Sequence, residues 1–473
     1  MNPPGRIVET ATRALGGSPA REVLSWAGGG RTAEQVLAEA EALAARLRHH
    51  GLAAGEVVML AGLPPDDFVI GCLAAWGCDA VVLAPDAQTT SAELDALRAA
   101  FAPRLVVGPD DIEGSMTASG HSPYVPPRGT ALIKLTSGSE GRPRGVAVTA
   151  DQLLADGRHL IDGMALTPDD LHVAAIPLSH SYGMGSLVMP LVLLGTPLAF
   201  VDPRHPGALA EVLSREERMV FPGVPSLFAL LCRDDAPAIE ARGLRLCISA
   251  GAPLPSGVAR AFREKTGLPV RSFYGTSETG GISFDDSPAG DAAEVLEGCV
   301  GRPLPGLDVT LDDGGRVVVR SDAVGLGYTH HVDGAAGRFA EGAFHTADTA
   351  AWASRPGRPP ELSLVGRIGA VVNVAGRKVD PAEVERALRR LPGVRDAVVI
   401  GMPDLSRGEA LAACVEAEAS LARDAVMAGL RRELAAWKLP RRLVVVDQMP
   451  RNERGKTDVD ALRRRLLEDV GNY

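Results

Sequence analysis

Aromatic residues are scarce in this chain of 473 residues, because phenylalanine, tryptophan and tyrosine together make up only 4% of it. So few aromatic side chains do not supply the stacking surface on which proteins bind single-stranded nucleic acid. Positive charge is also in short supply, since 49 Lys and Arg residues against 59 Asp and Glu residues leave a net charge of −10. An acidic chain lacks the field that attracts duplex nucleic acid, so we expect no nucleic-acid partner, and any phosphate must be held at one local site.

Cysteine is sparse as well, with six residues that form no CxxC pair and no Cys/His spacing typical of a zinc site. A disulfide framework is not expected in so large a chain, so we interpret the thiols as reduced and the protein as cytoplasmic. Long hydrophobic runs are missing apart from residues 183–201, where Pro190, Gly195 and Pro197 interrupt the stretch. We predict a buried helix followed by a buried strand there, and no membrane span.

The first third of the chain contains alternating helix and strand patterns. Continuous apolar strands are predicted at 56–60, 80–83 and 105–107, and helices at 67–76 and 93–100 separate them. Strands of this kind lie in parallel sheets that helices cover on both faces, which predicts an α/β fold. A chain of 473 residues is too long for one ordinary core, so two or more domains are expected.

The last hundred residues show a different pattern. A helix start is predicted at Asp380, which is followed by Pro381 and Glu383, and short strands and one further helix come after it. These elements suffice for a small α+β domain. Because two closely spaced glycines precede this change, we predict a large N-terminal domain over residues 1–367 and a small, mobile C-terminal domain over residues 368–473.

The segment from Leu135 to Val146, with the sequence LTSGSEGRPRGV, has the composition of an anion-binding loop. Its glycines let the backbone approach an anion closely, and successive N–H groups can form a concave nest of donors. Its hydroxyl groups and arginines add donors and positive charge for phosphate oxygens. We therefore predict a phosphate-binding loop between two strands, with a solvated surface turn as the alternative.

The spacing of glycines argues against other phosphate-binding and hydrolytic folds. Gly275 and Gly280 have the separation of a Walker loop, but Gly281 and Ile282 stand where a lysine and a hydroxyl residue are required. We find no strand-to-helix GxGxxG sequence and no GxSxG elbow. These observations disfavour a P-loop NTPase, a nicotinamide-dependent dehydrogenase and an α/β-hydrolase.

Four further segments follow the loop in order along the chain. They are YGTSE at 274–278, HTAD at 345–348, GR at 366–367 followed by NVAGRKVDPAEVE at 373–385, and PRNERGK at 450–456. Together with the loop, they resemble the motifs of the ANL superfamily of adenylate-forming enzymes, which contains acyl-CoA synthetases, adenylation domains of peptide synthetases and luciferases. The resemblance spans nearly the whole chain, and five motifs in the same order are far more specific than any one alone.

The resemblance implies that the chain binds ATP and Mg²⁺, and it gives individual residues a role. Tyr274 would stack on adenine, with a core tyrosine as the alternative, and Asp348 would accept both ribose hydroxyls. The residues that would contact phosphate are Thr136, Ser137, Gly138, Ser139, Gly141, Arg144 and Ser277. The residues that would contact adenine or ribose are Gly251, Ala252, Tyr274, Asp348 and Arg367.

By the same resemblance, Lys456 would be the main catalytic residue and Glu278 would be the magnesium ligand, since a hard cation prefers carboxylate oxygen. The reaction joins a carboxylate to the α-phosphorus of ATP. Two unit negative charges about 4 Å apart repel by about 4 kcal/mol at an effective dielectric constant of about 20. An ammonium that bridges the two anions offsets this repulsion where charge develops. A solvated lysine in a Gly–Lys turn is the alternative for Lys456.

The sequence PLSHSYG at 177–183 resembles the segment beside the acyl pocket of acyl- and aryl-CoA synthetases. His180 would act catalytically beside this pocket, with a packed histidine at a helix start as the alternative. The other residues expected by analogy to line the pocket are Tyr182, Gly223, Gly280 and Gly281. Amino-acid-activating domains have an aspartate near this segment that pairs with the substrate ammonium. We find none here, so we expect an acid without an α-amino group.

The resemblance also implies that the small domain rotates between two half-reactions. Gly376, Arg377 and Lys378 would line the channel for a pantetheine arm, although a structural turn accounts for Gly376 equally well. Gly369 stands at the position of the family's hinge residue, where glycine permits a wide range of backbone angles. In the phosphate loop, Glu140 replaces the usual Thr and Arg144 replaces the usual Lys, which leaves the affinity for ATP open.

These expectations combine into one predicted function, an ATP-dependent ligase that forms an acyl-adenylate and pyrophosphate and then transfers the acyl group to a thiol. Coenzyme A is the expected thiol. The phosphopantetheine arm of an acyl carrier protein and an amine are the alternative acceptors within the superfamily. A nucleotide-binding scaffold without catalysis is the alternative from another class, and the presence of Glu278, Asp348, Arg367 and Lys456 argues against it. The choice between an aryl and an aliphatic acid stays open.

Overall fold

The computed structural model describes most of the chain. The described residues are 3–114, 124–136, 143–287, 298–330, 338–340, 342–354, 358–367, 371–404, 406–417, 421–449, 462 and 465–466. The chain divides into a larger and a smaller unit. The larger unit consists of residues 1–87, 101–135 and 144–368, and the smaller unit of residues 88–100, 136–143 and 369–473.

The helices follow the predicted alternation with strands. In chain order they are α1 (Gly5–Gly16), α2 (Ala33–His49), α3 (Pro65–Gly77), α4 (Ser91–Phe101), α5 (Ala150–Met164), α6 (Ser181–Gly183), a π-helical segment (Met184–Val188), α7 (Met189–Leu194), α8 (Pro206–Leu213), α9 (Pro225–Leu231), α10 (Ser256–Thr266), α11 (Pro381–Arg389), α12 (Arg423–Glu433) and a 3₁₀ turn (Ala436–Lys438). None of the described helices is long and apolar enough to cross a membrane.

The strands belong to four sheets. In chain order they are β1 (Glu22–Trp26), β2 (Gly29–Thr32), β3 (Val57–Leu60), β4 (Val81–Leu83), β5 (Leu105–Val107), β6 (Ile112–Gly114), β7 (Thr130–Thr136), β8 (Arg144–Thr149), β9 (Leu171–Ala174), β10 (Leu198–Phe200), β11 (Met219–Gly223), β12 (Leu244–Ser249), β13 (Val270–Thr276), β14 (Gly280–Phe284), β15 (Arg302–Pro303), β16 (Asp308–Leu311), β17 (Arg316–Arg320), β18 (Gly327–Tyr328), β19 (Phe339–Ala340), β20 (Ala343–Ala353), β21 (Glu361–Arg367), β22 (Val372–Val374), β23 (Arg377–Val379), β24 (Val394–Asp404), β25 (Gly408–Ala417) and β26 (Arg442–Val446).

Two mixed, largely parallel sheets form the framework of the larger unit. One has the strand order β15-β14-β13-β12-β11-β9-β10-β1-β2, and its six inner strands from β13 to β1 are parallel neighbours. The other has the order β18-β8-β7-β4-β3-β5-β6, with β4 parallel to both β3 and β7. Their inner strands are short and buried, as expected for strands that are apolar on both faces. The predicted α/β class is confirmed.

A third sheet of the larger unit is antiparallel. Its order is β16-β17-β20-β19, and β21 pairs with β20. The pairing of β20 with β21 places Asp348 opposite Arg367. This sheet has its own apolar cluster, in which Val317, Val319 and Leu362 are completely buried.

The smaller unit contains an α+β arrangement. Its sheet has the order β23-β22-β25-β24, with β26 parallel to β25. Helix α11 begins at Pro381, directly after the predicted capping residue Asp380. The core is built from apolar side chains of the sheet and of α11 and α12, among them Val384, Leu388 and Leu430.

The interrupted apolar stretch from 183 to 201 folds as predicted. The π-helical segment and α7 are buried and end at Gly195, whose φ of +71° is readily adopted only by glycine. Strand β10 follows at Leu198 and pairs in parallel with both β1 and β9. The proline and glycines therefore divide one apolar stretch into a buried helix and a buried strand.

Candidate active site

Glu278 lies in the turn of the hairpin formed by β13 and β14. Thr276 and Gly280 are the last and first residues of these strands, and the three residues between them form the turn. The Oγ1 atom of Thr276 accepts a hydrogen bond from the backbone N–H of Thr279 at 3.3 Å and lies 3.0 Å from the Thr279 hydroxyl oxygen. A Cβ atom at Gly275 would lie 2.6 Å from the carbonyl oxygen of Gly280, so the tight hairpin requires glycine.

Tyr328 links the candidate metal ligand with a candidate phosphate ligand. Its hydroxyl donates a hydrogen bond to Oε1 of Glu278 at 2.8 Å, and the guanidinium of Arg144 lies 5.4 Å from the centre of its ring. Burial, together with the negative charge of Glu278, raises the pKa of Tyr328 far above its usual range, so the hydroxyl stays a donor near neutral pH. Glu278 and Arg144 thus share one aromatic neighbour.

Asp348 and Arg367 occupy facing positions on β20 and β21. Oδ2 of Asp348 accepts a hydrogen bond from the Tyr274 hydroxyl at 2.8 Å. The Thr346 hydroxyl donates to the carbonyl oxygen of Asp348 at 3.1 Å and accepts from its backbone N–H at 3.0 Å. Backbone pairing and hydrogen bonds therefore bring three of the five predicted adenine and ribose residues together.

Tyr274 is more deeply buried than an exposed stacking platform. It is 8% exposed and packs against the apolar cluster of the antiparallel sheet. This environment is that of the core tyrosine considered as the alternative. Its hydroxyl nevertheless contacts Asp348, so the residue supports the candidate ribose site from within the core.

Ser181 connects the predicted acyl-pocket segment to the turn that carries Glu278. Its hydroxyl donates a hydrogen bond to Oγ of Ser277 at 3.0 Å. His180 directly precedes Ser181 in the chain, and its Nε2 atom lies 3.1 Å from Oδ2 of Asp86. The candidate catalytic histidine therefore has a carboxylate partner that the sequence did not indicate.

Tyr182, the residue after Ser181, has its side chain fixed by two contacts. Its hydroxyl donates to the carbonyl oxygen of Ile248 at 3.2 Å, and its ring centre lies 5.7 Å from that of Phe273. Burial raises the pKa of Tyr182 well above its usual range, so this hydroxyl is not a source of negative charge.

The predicted acyl-pocket glycines lie in tightly packed surroundings. A Cβ atom at Gly281 would lie 2.8 Å from Leu304 and 2.9 Å from Leu160, and one at Gly223 would lie 3.0 Å from Phe228. A larger side chain at either position would therefore meet core side chains.

Gly280 adjoins a buried ion pair. Its φ is +73°, and a Cβ atom there would overlap the carboxylate of Asp156. Oδ1 of Asp156 accepts a hydrogen bond from the backbone N–H of Gly281 at 2.9 Å, and Oδ2 lies 3.6 Å from Nζ of Lys134. The side chains of Lys134 and Asp156 are only 3% and 4% exposed.

The candidate adenine loop follows β12. Its residue Gly251 has a φ of +83°, which glycine adopts without strain, and Ala252 comes directly after it. Ser249, at the end of β12, faces Gly223 on β11, and the N–H of Ala250 donates to the carbonyl oxygen of Gly223 at 3.2 Å. The loop is therefore anchored at the carboxyl ends of two parallel strands, where open α/β sheets bind ligands.

Several predicted residues lie outside the described part of the chain. They are the loop residues Ser137, Gly138, Ser139 and Gly141, the hinge residue Gly369 and the catalytic lysine Lys456. Thr136 is described and is the last residue of β7. Arg367 is placed by its backbone alone, and its side chain is not described.

The candidate pantetheine residues belong to the smaller unit. Gly376 lies in the turn between β22 and β23, and Arg377 and Lys378 are the first two residues of β23. Ala375 and Gly376 have φ angles of +51° and +86°, and two successive positive values are typical of tight hairpin turns. The guanidinium of Arg377 lies 5.1 Å from the ring centre of Trp437. The turn thus accounts for Gly376 structurally, as the alternative interpretation expected.

Family models agree with the motif order and the fold. The model described as "AMP-binding enzyme" matches residues 11–122 and 111–329, and the one described as "AMP-binding enzyme C-terminal domain" matches residues 383–456. The chain belongs to the AMP-binding enzymes. The predicted membership of the ANL superfamily is confirmed, and so is the predicted class of enzyme, an AMP-forming ligase.

Individual relatives of this AMP-binding enzyme are similar over most of its length. A (7a-methyl-1,5-dioxo-octahydro-1H-inden-4-yl)propanoyl:CoA ligase from Rhodococcus jostii is 31% identical over 73% of this chain and 67% of its own. A feruloyl-CoA synthase from Amycolatopsis is 28% identical over 83% and 80%. The structure of the amide bond synthetase McbA from Marinactinospora thermotolerans superposes with a TM-score of 0.81, at 25% identity over 97% of this chain and 99% of its own.

The residues of the candidate site are compatible with a magnesium ion held largely by nucleotide phosphates. Within the described ranges, no three His, Cys, Asp or Glu side chains form a group that could hold a metal ion. Mg²⁺ needs no such group, because it commonly binds one or two carboxylates together with substrate phosphates and water. Glu278 would supply such a carboxylate, and its Oε1 atom accepts a hydrogen bond from Tyr328.

Sequence reasoning missed four residues of this site. They are Asp86 beside His180, the buried pair Lys134 and Asp156, and Tyr328 beside Glu278. Tyr328 ends the short sequence GLGY, and glycines directly before an aromatic residue were the one local signal of a close backbone approach. The other three carry no local signal, because their partners are distant in the chain.

Proposed function

We propose that this AMP-binding enzyme activates a carboxylic acid with ATP and transfers the acyl group to the thiol of coenzyme A. In the first step a carboxylate oxygen attacks the α-phosphorus, and the bond from this phosphorus to the bridging oxygen of pyrophosphate breaks. In the second step the thiol sulfur attacks the acyl carbon, the thiol proton leaves to solvent or a base, and the bond to AMP breaks. The products are a thioester, AMP and pyrophosphate.

One observation carries this proposal, a continuous series of contacts within the larger unit. Arg144 contacts Tyr328, whose hydroxyl binds Glu278, and the neighbouring Ser277 binds Ser181. The candidate phosphate, metal and acyl residues are therefore neighbours, although they are far apart in the chain. Tyr274 extends the series, because it stands in the same hairpin as Glu278 and binds the ribose candidate Asp348.

Each group has a role that follows from its charge. Arg144 and the loop hydroxyls hold phosphate oxygens, and Asp348 accepts the ribose hydroxyls. Glu278 would hold Mg²⁺, which would supply positive charge for the pyrophosphate oxygens. Lys456, which lies outside the described residues, would stabilise the negative charge that develops between the acid and the α-phosphate. Gly376, Arg377 and Lys378 would line the path of the pantetheine arm.

An amine is a second candidate acceptor. The observation that favours it is the similarity of the whole fold to the amide bond synthetase, at a TM-score of 0.81 and 25% identity. The first half-reaction is the same for both acceptors. The difference lies in whether a thiol sulfur or an amine nitrogen attacks the acyl-adenylate.

ATP–pyrophosphate exchange over a panel of aryl and aliphatic acids tests the first half-reaction. Added coenzyme A or a simple amine then tests the second, by detection of the thioester or amide together with AMP. We expect exchange with at least one acid and thioester formation with coenzyme A. An amide without a thioester would favour the second acceptor. Nucleotide binding without exchange for any acid would favour a scaffold and contradict the proposal.

Glu278→Gln is the matched variant for this assay, because it keeps the size of the side chain and removes its charge. We expect exchange to fall by about 100-fold or more. Glu264→Gln on the exposed surface of α10 makes the same chemical change away from the site and should leave exchange unchanged.

A further inference from the structure

The segment from residue 325 to residue 329 lies beside β8, the strand that begins at Arg144. Strand β18 within it pairs antiparallel with β8, with Gly327 opposite Ala147 and Tyr328 opposite Val146. The N–H of Leu326 donates to the carbonyl oxygen of Ala147 at 2.8 Å. Two hydrogen bonds join Thr329 and Gly145, one from each backbone N–H, at 2.9 and 3.0 Å. This segment, called the 325–329 strap below, is therefore fixed to the strand that begins at Arg144.

The same strap is fixed to the turn that carries Glu278. The N–H of Gly325 donates to the carbonyl oxygen of Glu278 at 2.8 Å. A Cβ atom at Gly325 would lie 2.5 Å from Val146 and 3.4 Å from that carbonyl oxygen, so glycine is needed for this close approach. The strap thus joins the backbone of β8 to the backbone of the turn that carries Glu278.

The side chain of Tyr328 also connects the two segments, because it contacts a charged side chain in each of them. Its hydroxyl binds one oxygen of Glu278, and the face of its ring lies near the guanidinium of Arg144. Phe339 packs edge-on against the ring, with 5.3 Å between the ring centres, and Phe344 packs in turn against Phe339. The packing of these rings therefore sets the orientation of the Tyr328 ring, and with it the position of the Tyr328 hydroxyl group.

We propose that Tyr328 is a positioning residue that orients the Glu278 carboxylate toward Mg²⁺ and the Arg144 guanidinium toward the phosphates. The inference rests on the proposed function, since it assigns these two charged groups to the same metal–nucleotide complex. Glutamate has three rotatable side-chain bonds, so a hydrogen bond to one oxygen restricts where the other oxygen can meet a cation. Arginine is likewise restricted when it lies on an aromatic face.

The test measures binding rather than turnover. Calorimetry gives the Kd of an ATP analogue with a methylene group between the α- and β-phosphorus, once in excess Mg²⁺ and once in EDTA. The Kd in EDTA divided by the Kd in Mg²⁺ is the ratio that reports how strongly metal and nucleotide binding are coupled. Loss of an outer-shell partner typically weakens metal binding about tenfold or more, so Tyr328→Phe should lower this ratio about tenfold and leave the Kd in EDTA unchanged.

Three further variants separate the possible causes. Tyr328→Leu removes the ring as well, so the Kd in EDTA should also rise, because Arg144 loses its aromatic support. Tyr124→Phe removes a buried tyrosine hydroxyl that has no hydrogen-bond partner among the described residues, and it should keep the wild-type ratio. On a Glu278→Gln background, Tyr328→Phe should cause no further change, since the hydroxyl acts through the carboxylate.

Two outcomes would overturn the inference alone. One is a wild-type ratio for Tyr328→Phe, and the other is an equal loss of coupling with and without Glu278→Gln. In both cases the wild-type protein would still bind the analogue, and the proposed function would stand. A wild-type protein that does not bind the analogue at all would overturn the inference and the proposed function together.

Discussion

The ammonium of Lys134 lies 3.6 Å from the carboxylate of Asp156 inside the larger unit, where both side chains are almost fully buried. Lys134 stands in β7, two residues before the strand ends at Thr136. Asp156 accepts the N–H of Gly281, which belongs to the hairpin that carries Glu278. The ion pair therefore connects the strand that leads into the phosphate loop with the hairpin of the candidate metal ligand.

Removal of one partner of this pair should be more harmful than removal of both. Lys134→Met leaves a buried carboxylate without its cation, which typically costs about 3–5 kcal/mol of unfolding free energy. The double variant Lys134→Met with Asp156→Asn leaves no uncompensated charge, so we expect it to be more stable than Lys134→Met alone. Urea unfolding of the wild type, both single variants and the double variant measures this coupling. Strictly additive losses would show that the two groups do not interact.

His172 should make the stability depend on pH. It is completely buried in β9, its Nδ1 lies 3.0 Å from the carbonyl oxygen of Ser186, and burial lowers its pKa to about 4. Asp170 and Arg245 are the charged groups that act on its pKa, and Asp170 raises it while Arg245 lowers it. In the unfolded chain a histidine has a pKa of about 6.5. The unfolded state therefore binds a proton between about pH 6.5 and 4 that the native state does not bind, and stability falls as the pH falls through this range.

The size of this effect follows from the two pKa values. The contribution of His172 is fully present above about pH 6.5, and about 3 kcal/mol of it is lost by about pH 4. His172→Gln should flatten the stability curve between these pH values, even if it lowers stability overall. The exposed His49 on α2 supplies the matched control, because His49→Gln should keep the wild-type slope. Equal slopes for wild type and His172→Gln would contradict the prediction.

Local patterns predicted the secondary structure well because they depend on neighbouring residues. The helix start at Asp380 and Pro381 needs only the capping side chain and the fixed φ of proline, and α11 begins there. The break of the apolar stretch at Gly195 needs only a positive φ, and the helix ends there. The motif order gave the family for a similar reason, since each motif is a short run of residues around one function.

The contacts between distant segments could not be predicted in this way. Tyr328 meets Glu278 because β18 pairs with β8 rather than with a strand near it in sequence. Lys134 has the position of a core residue in β7, and only the packing of α5 supplies its partner Asp156. The order of strands in a sheet determines such pairs, and a single sequence does not reveal that order.

Tyr274→Phe should weaken ATP binding with little effect on the later chemistry. The variant keeps the buried ring and removes only the hydroxyl that donates to Asp348 at 2.8 Å. A hydrogen bond to a charged group contributes about 1.5–3 kcal/mol. Without this bond Asp348 is less well oriented toward the ribose hydroxyls, so the KM for ATP should rise about tenfold. The kcat should change less than the KM, because Tyr274 would not contact the reacting atoms. A fall in kcat with an unchanged KM would assign the hydroxyl to the reaction itself.

Lys438 should be essential to the stability of the smaller unit. Its ammonium donates to Glu93 of α4 at 2.6 Å and to Glu383 of α11 at 2.8 Å, and its side chain is 16% exposed. Burial alone would lower the pKa of Lys438, but Glu383 and Glu93 outweigh this effect and raise it, so the group is charged. Lys438→Met leaves two carboxylates facing each other and should cost about 3–5 kcal/mol of unfolding free energy.

A partial rescue distinguishes charge repulsion from lost packing in this prediction. Glu383→Gln on the Lys438→Met background removes one of the two facing carboxylates, so it should restore part of the lost stability. Arg432→Met on the exposed face of α12 removes a positive charge elsewhere in the same unit and should change stability by less than about 0.5 kcal/mol. Chemical unfolding followed by tryptophan fluorescence, to which Trp437 beside Lys438 contributes, measures all of these variants. If Glu383→Gln gave no rescue, the loss in Lys438→Met would arise from packing of the lysine stem.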